Sequence, residues 1–186
     1  KDNKLRDEIV DWLRKVVRIN DPADTRGIVF VSHHQAISAF DEPYLSTPTQ
    51  IAQLLAETGV YNRTFLWLFG HEHRLAFYDE QTVTIGANNI TLYSRCIGNS
   101  GFPTSLGPIP ERARASKLVA YDDRLYTIED GNMKIKVGFN GYSVLTFSEN
   151  TLTMEHSSLS VDTTHQLVSN VSTPLVHEVF TLDEAG

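Results

Sequence analysis

At 186 residues, with 41% hydrophobic and 10% aromatic side chains, the chain holds enough apolar material for one ordinary domain with a buried core, which excludes disorder for most of its length. The balance of 16 basic against 23 acidic residues gives a net charge of -7, the wrong sign for a phosphate-backbone binder, so nucleic acid is not an expected partner. A single cysteine, Cys96, excludes an internal disulfide framework and a cysteine-only metal site, and fits a reducing, cytoplasmic setting.

The polar start KDNKLRDE is not a signal peptide, and the longest apolar runs, GIVFV and FLWLF, fall far short of the roughly 20 residues that span a bilayer. The expectation is a soluble chain with no membrane partner. Residues 4–18, KLRDEIVDWLRKVVR, place Leu5, Ile9, Trp12, Leu13, Val16 and Val17 on one side at helical spacing, with Arg6, Asp7, Glu8, Asp11, Arg14 and Lys15 mostly opposite. This predicts a one-sided amphipathic helix. The turn-rich NDPADTRG leads into GIVFVS, too short and too β-branched for a helix and apolar on both faces, as a central parallel strand is. It ends at His33 and His34.

STPTQIAQLLAETGV carries helix punctuation: Thr47 as N-cap, Pro48 at the first helical position, Gln50 closing a Thr-x-x-Gln capping box, and Gly59 past the last turn. RTFLWLF is the next strand, again apolar on both faces, ending at Gly70. Helix, strand, helix, strand is the order of an α/β layer with parallel strands and a crossover helix, here over residues 1–75. From Ala76 the texture changes to short alternating runs separated by turn residues, with EDGN and SENT as turns. This predicts an antiparallel, β-rich part over residues 76–186. No linker or repeat divides the chain, so the prediction is a single mixed α/β domain, 1–186.

Ligand sites of open α/β sheets form beyond the carboxyl ends of the strands. VSHH follows the first apolar strand and GHEH the next, so neighbouring strands bring His33 or His34 close to His71 and His73. Gly70 lets the chain bend sharply, and the two histidines of GHEH then point into one cavity. Imidazole suits Zn, Fe, Mn or Ni. A lone histidine at a strand end is more often a hydrogen-bonded residue than a ligand; two clusters at adjacent strand ends favour a metal site. His156, His165 and His177 read as strand or loop histidines on a mostly solvated face. Glu72 reads as facing solvent, and Asp41 and Glu42 as ligands or simply the start of a loop.

GHEH after an apolar strand resembles the Gly-His-x-His signature of calcineurin-like metallophosphoesterases, and FVSHHQ resembles the preceding His-bearing strand end of that family, with Gln35 where proline often stands. RCIGNSG and VGFNGYSVLTF resemble the β-rich tail that completes its second sheet. The resemblance covers most of the chain. It implies a two-sheet sandwich flanked by helices, and hydrolysis of phosphate esters at a dinuclear centre of two divalent or trivalent ions drawn from Mn, Fe, Zn and Mg. By position, His33 and His71 would bind one metal and His73 the other. His34 faces away from His33 if the strand persists, to touch substrate or to pack behind the ligands. Arg95, Cys96 and Asn99 fall where a loop near the site would lie.

The family's Asp-x-His, Gly-Asp-x-x-Asp/Asn and Gly-Asn-His-Asp/Glu motifs are not in this sequence; GNS at 98–100 and GNM at 131–133 lack the histidine. The expectation is therefore the carboxyl-terminal part of a longer phosphomonoesterase or phosphodiesterase, inactive alone. Its catalytic residues and bridging carboxylates would lie outside the chain. The rival is a non-catalytic binding or scaffold domain of the same fold. The loop GFPTSLGPIPERARA either borders a site or is an exposed connection, and its Arg112 and Arg114 either attract an anionic substrate or are solvated.

Overall fold

Two strongly apolar runs, IVFVS and RTFLWLF, form adjacent parallel strands, and everything else is arranged on them. A computed structural model describes residues 3–101, 104–114, 116–161, 167–168 and 174–182. The chain is mixed α/β and strand-rich, with two short α-helices, α1 (Asp7–Trp12) and α2 (Ser46–Ala56). No described helix is long and apolar enough to cross a membrane.

The amphipathic run at the start departs from the predicted single helix. α1 passes into a π-helical turn, Leu13–Val17, that ends on Arg18 in the left-handed region (φ 59°). A π turn takes more residues than an α turn, so it rotates the later side chains away from the expected stripe. Leu13 is buried, with Leu5, Val10 and Val17 against the core, whereas Ile9, Trp12 and Val16 stay exposed. The capping box of α2 is also not made. The helix begins at Ser46, and no side chain caps it. Gln50 instead accepts the Leu5 N–H at 2.7 Å and donates to the Leu5 carbonyl at 3.0 Å, while the Thr47 hydroxyl donates to the Asn3 carbonyl at 2.8 Å. The residues chosen for a local cap tie the chain's start to α2.

The main sheet contains β1 (Ile28–Ser32), β2 (Arg63–Phe69), β3 (Leu75–Tyr78), β4 (Gln81–Ile85), β5 (Asn88–Ile97) and β6 (Leu118–Tyr121), in the order β1-β2-β5-β3-β6 with β4 paired to β5. β1–β2 and β2–β5 are parallel, and the other pairs are antiparallel. The sheet thus crosses the expected change of texture at Ala76. β1, predicted as a central strand, lies at the edge of this sheet among the described residues, and Val31 on it is 72% exposed. Its second apolar face is covered only in part: Val29 packs against the cluster between the sheets, while Val31 is exposed.

β7 (Leu125–Asp130) and β8 (Met133–Gly138) form a hairpin through the EDGN turn, with Gly131 at φ 60°. β9 (Gly141–Ser148) and β10 (Thr151–Ser158) form another through SENT, with Glu149 at φ 48°. Positive φ at these turn positions matches the twist of the flanking strands. β11 (Ser160–Val161) pairs with β12 (Leu167–Val168), and β13 (Val176–Thr181) adds to β10 to complete the sheet β13-β10-β9.

One face of the main sheet, with Phe65, Trp67, Phe69 and Tyr78, packs on α1, α2 and the connecting segments. The other, with Leu66, Leu68, Leu75 and Phe77, packs on Leu152 and Met154 of β10. This alternation along β2 follows from its period of two and explains why RTFLWLF is apolar throughout. The helices thus cover one face of the main sheet, and the β13-β10-β9 sheet packs on the other. Arg95 of β5 joins the sheets as a buried cation, bidentate on Glu178 of β13 at 2.7 and 2.8 Å, with its remaining nitrogen on the carbonyls of Tyr78 and Ser94.

Candidate metal centre

Because β1 and β2 are parallel and in register to Ser32↔Phe69, their carboxyl ends stop side by side. His33 and His71 leave these ends next to each other. The His33 carbonyl accepts the N–H of Gly70 at 3.2 Å and of His71 at 2.9 Å, which carries the ladder one step beyond the strands. His33 Nε2 then lies 3.1 Å from His71 Nδ1.

His34 joins them. The strand ends at Ser32, so the alternation that would turn His34 away does not continue, and the ring centroids of His33, His34 and His71 form a triangle with sides of 4.7 to 5.0 Å. Buried Trp67 holds this corner: its Nε1–H donates to Ser32 Oγ at 2.9 Å, and the Ser32 hydroxyl donates to the His34 carbonyl at 2.7 Å. Tyr44 lies against the His34 ring with 4.2 Å between centroids.

The segment from Gln35 to Tyr44 is closed on itself. Buried Gln35 donates its side-chain amide to the Glu42 carbonyl at 3.0 Å and accepts the Tyr44 N–H on its own carbonyl at 3.0 Å. Ser38 Oγ accepts the N–H groups of Phe40 and Asp41, and the Ala39 N–H donates to Tyr78 Oη. So held, the loop brings Asp41 Oδ2 to 3.5 Å from His71 Nε2.

The other expected residues fall elsewhere. His73, assigned by resemblance to the second metal, is exposed and outside the group formed by the donor atoms of His33, His34 and His71. Its backbone is left-handed (φ 48°), and its N–H closes a turn on the Gly70 carbonyl at 3.3 Å, which turns it away from the path of His71. The bend thus places its positive φ on His73, not on Gly70. Glu72 does not face solvent: both carboxylate oxygens are buried. Burial, with the charge of Glu72 adding to it, raises the Tyr78 phenol above its ordinary pKa and pushes the Cys96 thiol up to about 12. Cys96 donates to the Arg74 carbonyl at 3.2 Å and is a buried neutral thiol. Arg95 is committed to Glu178, and Asn99 is buried beside His156.

His156 corrects the solvated-face expectation. It is fully buried between Ser143 Oγ, 2.8 Å from Nδ1, and Asn99 Nδ2, 3.4 Å from Nε2. His177 is exposed as expected and sits 3.2 Å from Glu155. His165 and the side chains of Arg112 and Arg114 lie outside the described residues.

Two nitrogens bound at about 2.1 Å to one tetrahedral ion are about 3.4 Å apart, and can be no more than about 4.2 Å apart. The His33–His71 pair, at 3.1 Å, already has the spacing of two ligands of one ion. The three donor atoms lie within 4.8 Å of one another, so the widest pair has to close by up to about 1.4 Å for all three to share a tetrahedral ion. From the sequence Asp41 reads equally as a ligand or as the start of a loop, and Tyr44 carries no motif. The only local signal for either was their position shortly after VSHHQ. No protein-family model matches the chain, and no curated protein matches it either.

Proposed function

We propose that the chain is part of a metal-dependent phosphoric ester hydrolase, acting on a phosphomonoester or a phosphodiester. The observation that carries this reading is the pair of imidazole nitrogens 3.1 Å apart at the carboxyl ends of two adjacent parallel strands. A strand core requires no histidine there, and the pair together with His34 makes a neutral nitrogen donor set suited to Zn, Mn or Fe. His33 and His71 would hold one ion, with His34 beside them; His73 would serve a second ion, in reach of a carboxylate from outside this chain.

Such a centre supplies charge neutralisation at the phosphoryl oxygens and an activated water. The chain's own residues contribute the fixed imidazoles, the hydrogen-bonded Trp67–Ser32 support behind His34, and the tied loop that carries Asp41 and Tyr44. A dinuclear centre also needs bridging carboxylates, and the Asp and Asn motifs that would supply them are absent from these 186 residues. In this reading they come from a longer protein, and the chain alone does not turn over.

Elemental analysis of the purified chain and of any longer natural form, followed by a phosphate-ester screen, tests the proposal. About two ions on the longer form, with ester hydrolysis that His71→Ala removes, is the expected result. Absence of metal from both forms would overturn it and leave a binding domain with structural histidines.

A further inference from the structure

The histidine corner has an acidic neighbour whose approach is built rather than incidental. Asp41 is fixed on three sides: Ser38 Oγ accepts its N–H at 3.1 Å, its Oδ1 accepts the Glu42 N–H at 2.7 Å, and the loop that carries it is closed at both ends through Gln35. With Oδ1 engaged by the backbone, Oδ2 is the oxygen directed at His71 Nε2, 3.5 Å away. The opposite nitrogen of the same ring, Nδ1, is the one 3.1 Å from His33 Nε2. His71 therefore has a carboxylate on one nitrogen and the candidate metal position on the other.

A neutral imidazole carries one N–H and one lone pair, and the partner that accepts the N–H decides which nitrogen keeps the lone pair. Histidine ligands are commonly oriented by a carboxylate in this way, and contacts that are long without the bound group shorten with it.

We propose that Asp41 is a positioning residue: by accepting the Nε2–H of His71 it holds the tautomer whose Nδ1 lone pair faces His33, and so prepares His71 to bind a metal through Nδ1. This rests on the metal-centre reading above. It assigns His71 a specific ligating atom and gives the closed loop a function, since without the Gln35 ties Asp41 would not be held against the ring. Asp41 itself is not a ligand in this arrangement.

The test uses the 186-residue chain with zinc as the probe, at about pH 8, where an ordinary imidazole is neutral. Long-range proton–nitrogen correlation spectra report the His71 tautomer, and chelator competition reports the zinc Kd. In the wild type His71 should be the Nε2–H tautomer. Asp41→Ala should mix the two tautomers and weaken zinc by roughly 10–100-fold, the usual effect of losing an outer partner. Asp41→Asn keeps an accepting oxygen without the charge and should fall between. Zinc bound by the wild type with tautomer and Kd unchanged in Asp41→Ala overturns this inference alone. A wild-type chain whose His71 is the Nδ1–H tautomer overturns this inference, with or without zinc; the metal reading falls only when a longer natural form is also without metal.

Discussion

The main-chain carbonyl of His33 accepts the N–H of His71 at 2.9 Å, so the two histidines are registered by backbone before their side chains meet. The same carbonyl takes the Gly70 N–H. Side-chain substitutions at either position should therefore leave the strand ends in place, and their effects on binding can be read as effects on ligation.

His33→Ala or His71→Ala each removes one of the two nitrogens 3.1 Å apart. Either should weaken zinc binding to the chain by more than the roughly 10–100-fold that an outer partner costs. His73→Ala, outside the group, should leave that ion's affinity essentially unchanged. Calorimetric titration with zinc checks this; loss of the ion in His73→Ala would show that His73 swings in to complete the site.

The two glycines at the end of the sheet should differ sharply. A Cβ on Gly98 would overlap the Gly70 carbonyl, which is backbone and cannot move cheaply, whereas a Cβ on Gly70 would meet only Gly98 Cα at 3.7 Å, an ordinary contact. Gly98→Ala should destabilise by about 2–3 kcal/mol and Gly70→Ala by less than about 1 kcal/mol. Urea unfolding of both variants gives the comparison, and equal costs would contradict the close approach of the two backbones.

The glycine contrast shows what the sequence conceals. Gly70 precedes the histidines and looks like the hinge, yet the left-handed residue is His73 and the steric demand falls on Gly98, whose neighbour is 28 positions away in sequence. Arg63–Phe69 is legible as a strand because both of its faces are buried and the chain turns immediately after it. The EDGN and SENT turns are legible because turn chemistry is local. β5 is not: alternation reports which face is covered and not strand direction, so its parallel pairing with β2 has no signature. The site is legible as two histidine clusters. Which histidines meet depends on where β1 stops and on the turn after Gly70, and the role of Asp41 depends on Gln35 closing the loop.

Arg95 and Glu178 bind the two sheets across 83 positions of sequence at 2.7 and 2.8 Å. Removing the carboxylate leaves a cation with 6% of its side chain exposed, still bonded to two carbonyls. Glu178→Ala should cost about 2–3 kcal/mol, below the full cost of breaking a buried pair because Glu178 itself is partly exposed. The double variant Arg95→Met, Glu178→Leu should recover most of that loss, since no buried charge is left unpaired. Thermal unfolding of the three proteins decides it; a double variant no better than Glu178→Ala would show that the carbonyl bonds, and not the pair, hold the sheets.

His156 should make the fold sensitive to acid. Burial is the main cause that lowers its pKa from 6.5 to about 4, with the nearby Arg124 lowering it further and Asp122 acting in the opposite direction. The folded state thus binds this proton less readily than the unfolded chain. Stability contributed by the neutral ring is fully present above about pH 6.5, declines as the unfolded state protonates below it, and is lost by about pH 4, where the folded ring also titrates. The span corresponds to an upper figure of about 3 kcal/mol. His156→Gln replaces the ring by a group that does not titrate, at some cost from lost packing and from its contacts with Ser143 and Asn99. Its stability should be lower than wild type at pH 7 and fall less steeply between pH 6.5 and 4. Denaturant unfolding across that range measures both slopes, and parallel curves would show that the carboxylates, rather than this buried imidazole, set the acid limit.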